Sequence, residues 1–290
     1  MNALKKGVYV ALGTPLDGNG DVIEQSLRTE IRQQIEAGAS GLLLMGSMGI
    51  QASIKASACR RAVEIAVDEV KNSVPLFVGA MDNSVARVKD RIDAMRDLDY
   101  TAVVLTTPYY STSRDANIVA FFKAIADYAD KPVFLYDLPV VTKQKITLPM
   151  VLELAQHNNI KGIKSGDLVL ARKLRQLAPE FEVLFSNIDV FDVAISYGID
   201  KVLDGMFSAT PKNEADFVKA IEAGDIAACT KSLDKILYLR DFYLKYDLMA
   251  AFTASMNLLG CEGQFSQDYI NEIEVTREGV LGAMKEIGEI

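Results

Sequence analysis

The feature that most constrains the fold of this chain is a regular alternation of short β-branched segments with helix-like segments through its first two thirds. Each short segment is bounded by Gly, Pro or Asp, as strands commonly are. Between the segments, apolar residues recur at helical spacing, as in Leu27, Ile31 and Ile35, and give one apolar helix face. Eight strands are predicted: Val8–Leu12, Gly41–Met45, Leu76–Ala80, Ala102–Thr106, Val133–Tyr136, Gly162–Lys164, Val183–Phe185 and Lys201–Leu203.

This alternation favours an α/β protein whose parallel sheet closes into a (β/α)8 TIM barrel, because right-handed crossovers cover such a sheet with helices. An open doubly wound sheet is the alternative. It requires a glycine-rich fingerprint before an early helix, and Gly18-Asn19-Gly20 lacks the third glycine. After about Pro211 the pattern is helical to the end. We therefore predict a barrel domain over residues 1–224 and a C-terminal helical domain over residues 225–290.

The composition narrows the chemistry that is available. The chain has one histidine, His157, and three cysteines far apart in sequence, Cys59, Cys229 and Cys261. A zinc site usually needs three or four such ligands close together. A triad hydrolase of the familiar kind would depend on His157, and no G-x-S-x-G elbow is present. We therefore predict no thiolate or imidazole metal centre, and the favoured interpretation includes no metal and no cofactor. We expect His157 to cap a helix end or lie at the surface.

Charge and hydropathy limit the possible partners. The chain has 31 Lys and Arg against 39 Asp and Glu, a net charge of −8, without the dense basic run that nucleic acid binding needs. Its apolar stretches are far shorter than the roughly 20 residues that span a bilayer. The apolar segment after Lys5 and Lys6 is too short for a signal peptide and lacks a cleavage site. With three scattered cysteines, we predict a cytoplasmic protein.

Polar residues that end apolar strands are candidates for an active site, because in a (β/α)8 barrel the site forms at the C-terminal ends of the strands. Lys164 is the most informative, since a partly desolvated ammonium loses its proton more easily and the free amine is a nucleophile. Taken singly, such residues are common structural elements of turns and cores. Four strands end in this way, in Gly46-Ser47-Met48-Gly49, Thr107-Pro108-Tyr109-Tyr110, Tyr136-Asp137-Leu138-Pro139 and Ile163-Lys164-Ser165-Gly166-Asp167.

In combination and in this order, these motifs resemble the dihydrodipicolinate synthase and N-acetylneuraminate lyase family of class I, Schiff-base-forming aldolases. The resemblance runs nearly end to end and includes Thr14-Pro15-Leu16 near the start and Gly205-x-x-Ser208 before the helical tail. It implies a barrel with a helical C-terminal domain and a homo-oligomer, usually a homotetramer built as a dimer of dimers. It also implies small-molecule substrates: pyruvate or another 2-oxo acid, and an aldehyde.

The resemblance implies catalytic roles for four residues. Lys164 matches the lysine that forms a Schiff base with the 2-oxo acid, and Tyr136 matches the tyrosine that transfers protons during this step. Ser47 matches the hydroxyl that links Tyr136 to a second tyrosine. That second tyrosine is Tyr110, which in the family comes from a neighbouring subunit, so activity would depend on assembly.

Four residues are expected to bind the 2-oxo acid. The backbone amides of Ser47 and Met48 would hold its carboxylate at the start of the following helix, where amides point outward and the helix dipole favours an anion. Gly46, which precedes them, and Phe207, within Gly205-x-x-Ser208, complete the predicted substrate-binding set.

Three positions depart from the family pattern, and so does the stretch Ser186-Asn187-Ile188-Asp189, which stands in place of the usual Gly-Asp-Asp. Met48 and Ile50 replace a threonine and a glutamate of the glycine-rich motif. Val141 stands where dihydrodipicolinate synthases carry an arginine that holds the carboxylate of the aldehyde substrate, and loss of such a contact removes roughly a few kcal/mol of binding. Lys143 or Lys145 could supply a replacement charge, although without the fixed geometry of a guanidinium.

Two alternatives remain open at this point. The three departures suggest a non-catalytic or regulatory relative that binds a 2-oxo acid. The acidic residues Asp137, Asp167 and Asp189 near strand ends could instead form a carboxylate-ligated metal site on the same barrel. The favoured interpretation is a pyruvate-dependent class I aldolase or lyase with a divergent second-substrate site.

Overall fold

A computed structural model of the protein describes residues 3–270 and 277–290. Its eight strands pair in parallel with their sequence neighbours, and β8 pairs with β1, so that the sheet closes into a barrel. The predicted (β/α)8 barrel is therefore confirmed. The strands are β1 (Gly7–Ala11), β2 (Gly41–Leu44), β3 (Leu76–Gly79), β4 (Ala102–Thr106), β5 (Val133–Asp137), β6 (Ile160–Ser165), β7 (Glu182–Phe185) and β8 (Lys201–Asp204).

All eight predicted strands are found, with ends that differ by at most two residues. The largest difference is in β6, which begins at Ile160 because Ile160 pairs with Val133 of β5 before a shift in register. The strands are readable from sequence because both faces of a parallel barrel are buried, which makes each strand a short apolar run.

The helices lie outside the barrel and after it. They are α1 (Glu24–Ala37), α2 (Ala56–Val70), α3 (Val85–Ala94), α4 (Asp115–Ala126), α5 (Pro139–Thr142), α6 (Leu148–Leu154), α7 (Leu168–Leu177), α8 (Phe191–Ser196), α9 (Pro211–Ala223), α10 (Ile226–Tyr243), α11 (Leu248–Leu258) and α12 (Arg277–Glu286). Short 3-10 turns occur at Gln51–Ser53, Ile188–Val190 and Met206–Ala209. In the described part of the chain, none of the helices is long and apolar enough to cross a membrane.

The final helices divide between the barrel and an appendage. Helix α9 packs against α1 and β1, so it completes the ring around the barrel, whereas α10 packs against α8 and α9 from outside. The carboxylate of Glu289 accepts hydrogen bonds from the backbone amides of Lys212 at 2.7 Å and Asn213 at 3.1 Å, which ties the chain end to the start of α9. The predicted domain boundary after residue 224 falls between α9 and α10 and stays a prediction.

The barrel interior has its own core. Alternate residues of the strands point inward and pack together, including Tyr9, Phe77, Phe134 and Tyr136. The residues between them point outward into the larger core beneath the helices. Because Tyr136 belongs to the inner set, its neighbour Asp137 points away from the barrel axis.

Candidate active site

Tyr136 and Lys164 lie side by side at the C-terminal end of the barrel. They are partners in the parallel pairing of β5 and β6, and the Lys164 Nζ atom lies 3.8 Å from the centroid of the Tyr136 ring. Their exposed fractions are only 2% for Tyr136 and 5% for Lys164. Gly162 makes room below them, because a Cβ atom there would lie 2.3 Å from the ring of Phe134. Register and packing therefore place a lysine amine and a phenol together in a largely dry setting.

Ser47 reaches Tyr136 from the turn that follows β2. The Ser47 Oγ atom lies 2.9 Å from the Tyr136 hydroxyl, although 89 residues separate the two in sequence. The turn begins at Met45, whose backbone is left-handed (φ 55°), and Gly79 of β3 is required beside it. A Cβ atom on Gly79 would lie 1.9 Å from the Met45 carbonyl oxygen. The predicted trio of Lys164, Tyr136 and Ser47 is thus brought together.

Tyr110 lies outside this trio. Its side chain is 90% exposed. Its backbone amide and that of Tyr109 both donate to the Asn83 Oδ1 atom, at 2.7 and 2.9 Å, and this fixes the loop after β4. The Tyr110 hydroxyl has no partner in the described part of the chain. Sequence reasoning missed Asn83, because nothing local to it indicates a bond to a loop 26 residues away.

The amides of Ser47 and Met48 belong to a tight turn. The predicted helix start is wrong, because only the 3-10 turn Gln51–Ser53 follows directly and α2 begins at Ala56. Within the turn, the Ile50 amide donates to the Ser47 carbonyl at 3.1 Å and the Gln51 amide to the Gly46 carbonyl at 3.3 Å. The amides of Ser47 and Met48 have no acceptor among the described residues. They are free to bind an anion as a turn does, without a helix dipole behind them.

Phe207 is not brought to this site. Its side chain is fully buried in the outer core, stacked against Phe191 and Phe217 with centroid distances of 6.1 and 5.8 Å. It lies in the 3-10 turn Met206–Ala209, where the two-residue alternation of β8 no longer predicts side-chain direction. The expectation that Phe207 binds substrate is corrected accordingly: its side chain packs the core.

Asp204, at the end of β8, is a charged group near the site that sequence reasoning did not select. Burial raises the pKa of its carboxyl above the ordinary value, while the Met206 amide, which it binds at 2.8 Å, and the Lys164 ammonium act in the opposite direction. Asp204 is a polar residue at the end of an apolar strand. The rule that identified Lys164 would have identified it as well.

A cavity of about 320 Å³ opens beside Lys164. It is lined by the strand ends and by the segment after β5: Tyr136, Asp137, Leu138, Pro139, Val140, Lys145, Lys164, Gly166, Asp167 and Ser186. The Lys145 ammonium contacts the Asp137 carboxylate and lies 3.1 Å from that of Asp167. Burial raises the pKa of Asp167, but the Leu170 amide and the Lys145 ammonium outweigh burial and hold it below its ordinary value.

The three acidic residues considered for a metal do not converge. Asp137 and Asp167 flank the Lys145 ammonium, so a cation of the chain itself occupies the place between them. Asp189 pairs instead with Arg240, at 2.7 Å. Across residues 3–270 and 277–290, no group of three or more His, Cys, Asp or Glu could hold a metal ion.

Two of the departures from the family pattern have visible structural effects. Ile50 is buried with a left-handed backbone (φ 45°), which is strained for a β-branched residue. Val141 is 57% exposed and carries no charge to the cavity. Lys143 donates to the Val140 carbonyl at 2.7 Å, so neither Val141 nor Lys143 reproduces the missing arginine.

Comparisons with known proteins agree with this geometry. The family model described as the Dihydrodipicolinate synthetase family matches residues 4–267. A 4-hydroxy-tetrahydrodipicolinate synthase of Methanothermobacter thermautotrophicus is 31% identical over 247 residues, 81% of this chain and 87% of that protein. One of Phenylobacterium zucineum is 29% identical over 291 residues, 98% of each chain.

Solved structures show the same fold at lower identity. A prophage protein of the dihydrodipicolinic acid synthase family from E. coli K12, in complex with pyruvate, has a TM-score of 0.90 at 22% identity and covers 99% of this chain and 100% of its own. The dihydrodipicolinate synthase of Thermotoga maritima has the same TM-score, identity and coverage. Because the family model spans nearly the whole chain, the protein belongs to the dihydrodipicolinate synthetase family.

Proposed function

We propose that the protein is a pyruvate-dependent class I aldolase in which Lys164 forms a Schiff base with a 2-oxo acid. The observation that carries the proposal is the buried Lys164 amine beside Tyr136, whose hydroxyl is 2.9 Å from Ser47. Neither a metal nor a cofactor is needed for this chemistry. Membership of the family and the pyruvate complex of a structural relative support it.

The proposed reaction begins when the neutral Lys164 amine adds to the ketone carbon of the 2-oxo acid. Loss of water from the carbinolamine gives a protonated imine. Removal of a proton from the adjacent methyl group then gives an enamine, which attacks the aldehyde carbon and forms the new C–C bond. Hydrolysis of the imine releases the product and restores the amine, and the reverse sequence is a lyase reaction.

Tyr136 and Ser47 supply proton transfer in this scheme. The carbinolamine must gain a proton on its hydroxyl before water leaves, and the scheme assigns this step to the hydroxyl of Tyr136, whose ring lies against the amine. Ser47 can accept the hydrogen bond of the phenol or donate to it, so it can pass a proton onward. The free amides of Ser47 and Met48 would hold the carboxylate of the 2-oxo acid, with Gly46 shaping the turn.

We further propose that activity requires a homo-oligomer, because the exposed Tyr110 completes the relay only from a second subunit. Mixing Lys164→Ala with Tyr110→Phe protein tests this. If Tyr110 acts across an interface, mixed assemblies contain some sites with both residues and regain activity. If Tyr110 acts within its own chain or not at all, mixing restores nothing.

We also propose a cytoplasmic location, which the three unpaired cysteines support.

The proposed function is tested by incubation with pyruvate, then borohydride, followed by a screen of aldehydes. Borohydride with pyruvate should abolish turnover, whereas borohydride alone should leave it intact. The alternative, a non-catalytic relative that binds a 2-oxo acid, is favoured only by the changes at Met48, Ile50 and Val141. It predicts an adduct with pyruvate but no turnover with any aldehyde or cleavable 2-oxo acid.

A further inference from the structure

Behind the two candidate catalytic side chains lies a buried polar pair that joins the same two strands. Asp137 follows Tyr136 on β5, Ser165 follows Lys164 on β6, and Asp137 and Ser165 are themselves partners in register. The Ser165 hydroxyl donates to the Asp137 carboxylate at 2.9 Å, and both residues are almost fully buried. Any change in this pair therefore acts directly on the spacing of Tyr136 and Lys164.

The Asp137 carboxylate is surrounded by donors. Besides the Ser165 hydroxyl, the Ile146 amide donates to it at 3.0 Å and the Lys145 ammonium contacts it. Two neutral donors and a cation are the surroundings of an ionised carboxylate. A buried carboxylate is costly without a cation, and Lys145 supplies the cation at this position.

Lys145 also reaches the segment that leaves the active-site lysine. Its ammonium lies 3.1 Å from Asp167, and Asp167 caps α7 by accepting a hydrogen bond from the Leu170 amide at 2.9 Å. One side chain thus connects the end of β5 to the segment between β6 and α7.

We propose that Lys145 is a positioning residue, whose ammonium neutralises the buried Asp137 carboxylate and so holds Tyr136 and Lys164 at the distance that imine formation requires. The proposal rests on the proposed function of Lys164. It also gives Lys145 a role other than binding an anionic second substrate, because the Lys145 ammonium already contacts the carboxylates of Asp137 and Asp167.

The test measures the rate at which pyruvate alone, without an aldehyde, is trapped by borohydride. Lys145→Met should trap about ten- to a hundredfold more slowly, because small displacements of reacting groups have effects of that size. The pyruvate concentration that gives half of the maximal trapping rate should change by less than about twofold, since the proposal gives Lys145 no contact with the 2-oxo acid. Lys145→Arg should retain most of the rate. The matched control is Lys143→Met, which removes an exposed ammonium two residues away and should trap at the wild-type rate.

A double variant separates the charge effect from general damage. In Lys145→Met/Asp137→Asn the cation and the buried charge are both removed. The amide oxygen can still accept from the Ile146 amide, and the amide NH2 group can donate to the Ser165 hydroxyl oxygen, which bonds the other carboxylate oxygen in the wild type. Trapping should return to within about threefold of wild type, because removing both partners of a buried pair is tolerated far better than removing one. If Lys145→Met alone does not fold, the trapping rate of this double variant still shows whether the unpaired buried charge causes the loss.

Three results would overturn the proposal. Wild-type trapping in Lys145→Met would show that the ammonium is not needed. Normal trapping with a raised half-saturating aldehyde concentration would show that Lys145 binds the second substrate instead. A folded double variant that remains as slow as Lys145→Met would show that the buried charge is irrelevant. Failure of wild-type protein to trap pyruvate on Lys164 would instead refute the proposed function itself.

Discussion

Replacement of Tyr136 by phenylalanine removes one oxygen atom from the proposed site and leaves the packing around Lys164 in place. The ring can stay 3.8 Å from the amine, and the contact that is lost is the 2.9 Å hydrogen bond between the Tyr136 hydroxyl and Ser47. Ser47 is exposed and can rebind water, so the free energy of unfolding should fall by only about 1 kcal/mol.

The effect on chemistry should be much larger than the effect on stability. A positioned proton donor contributes about 10²- to 10⁴-fold to a rate, which is roughly 3–5 kcal/mol of activation free energy. We therefore expect Tyr136→Phe to slow the borohydride trapping of pyruvate by at least about a hundredfold at saturating pyruvate. The rate is read from the mass of the intact protein in samples quenched at successive times.

Tyr9→Phe is the matched control. Tyr9 is a buried tyrosine of the same barrel core, and its hydroxyl donates to the Lys5 carbonyl at 2.6 Å, at the opposite end of the barrel. This variant should lose similar stability and trap pyruvate at the wild-type rate. If Tyr136→Phe traps as fast as Tyr9→Phe, the phenol does not take part in imine formation and the reasoning is refuted.

Three further predictions concern buried residues of the barrel and its surrounding core. Burial raises the pKa of Glu30 from 4.5 to about 8, against the Gly13 amide that donates to it, so the fold binds a proton that the unfolded chain releases. The free energy of unfolding should then fall by roughly 3–4 kcal/mol as pH rises from about 5 to 8. Glu30→Gln, measured by chemical denaturation, should lack this decline. An equal decline in both proteins would show that Glu30 does not cause it. Gly162→Ala should lower the free energy of unfolding by at least about 1–3 kcal/mol, since its Cβ meets the Phe134 ring, and an unchanged melting temperature would show otherwise. Phe207→Ala should lose about 3–5 kcal/mol of stability in urea denaturation while the folded protein keeps its half-saturating pyruvate concentration, and a raised value would return Phe207 to the binding site.

The fold could be predicted from the sequence because each level of the pattern agrees. Parallel strands buried on both faces are short apolar runs, and eight of them separated by helices leave few topologies besides a closed barrel. Lys164 and Tyr136 could be selected because they end such runs, and the register of adjacent strands then makes them neighbours. The strands and the residues that end them depend on local sequence, and the order of the strands around the barrel then makes β5 and β6 neighbours.

The remaining features of the site depend on how loops return to the strand ends. The contact of Lys145 with Asp137 requires the path of the segment after α5, and the support of Tyr110 by Asn83 joins two different loops. Phe207 was assigned to the site because it lies within Gly205-x-x-Ser208, and the structure places it in a 3-10 turn with its side chain in the core. Sequence periodicity describes strands and helices but carries no information on the direction of side chains in turns.

The most direct test of the account is to locate the pyruvate adduct. Protein reduced with borohydride in the presence of pyruvate is digested, and the peptides are weighed and fragmented. We predict a single pyruvate-derived mass increment on the peptide that contains Lys164, and none in Lys164→Ala protein that retains its fold. An adduct on another lysine, or an undiminished adduct in that variant, would contradict the central claim that Lys164 is the nucleophile.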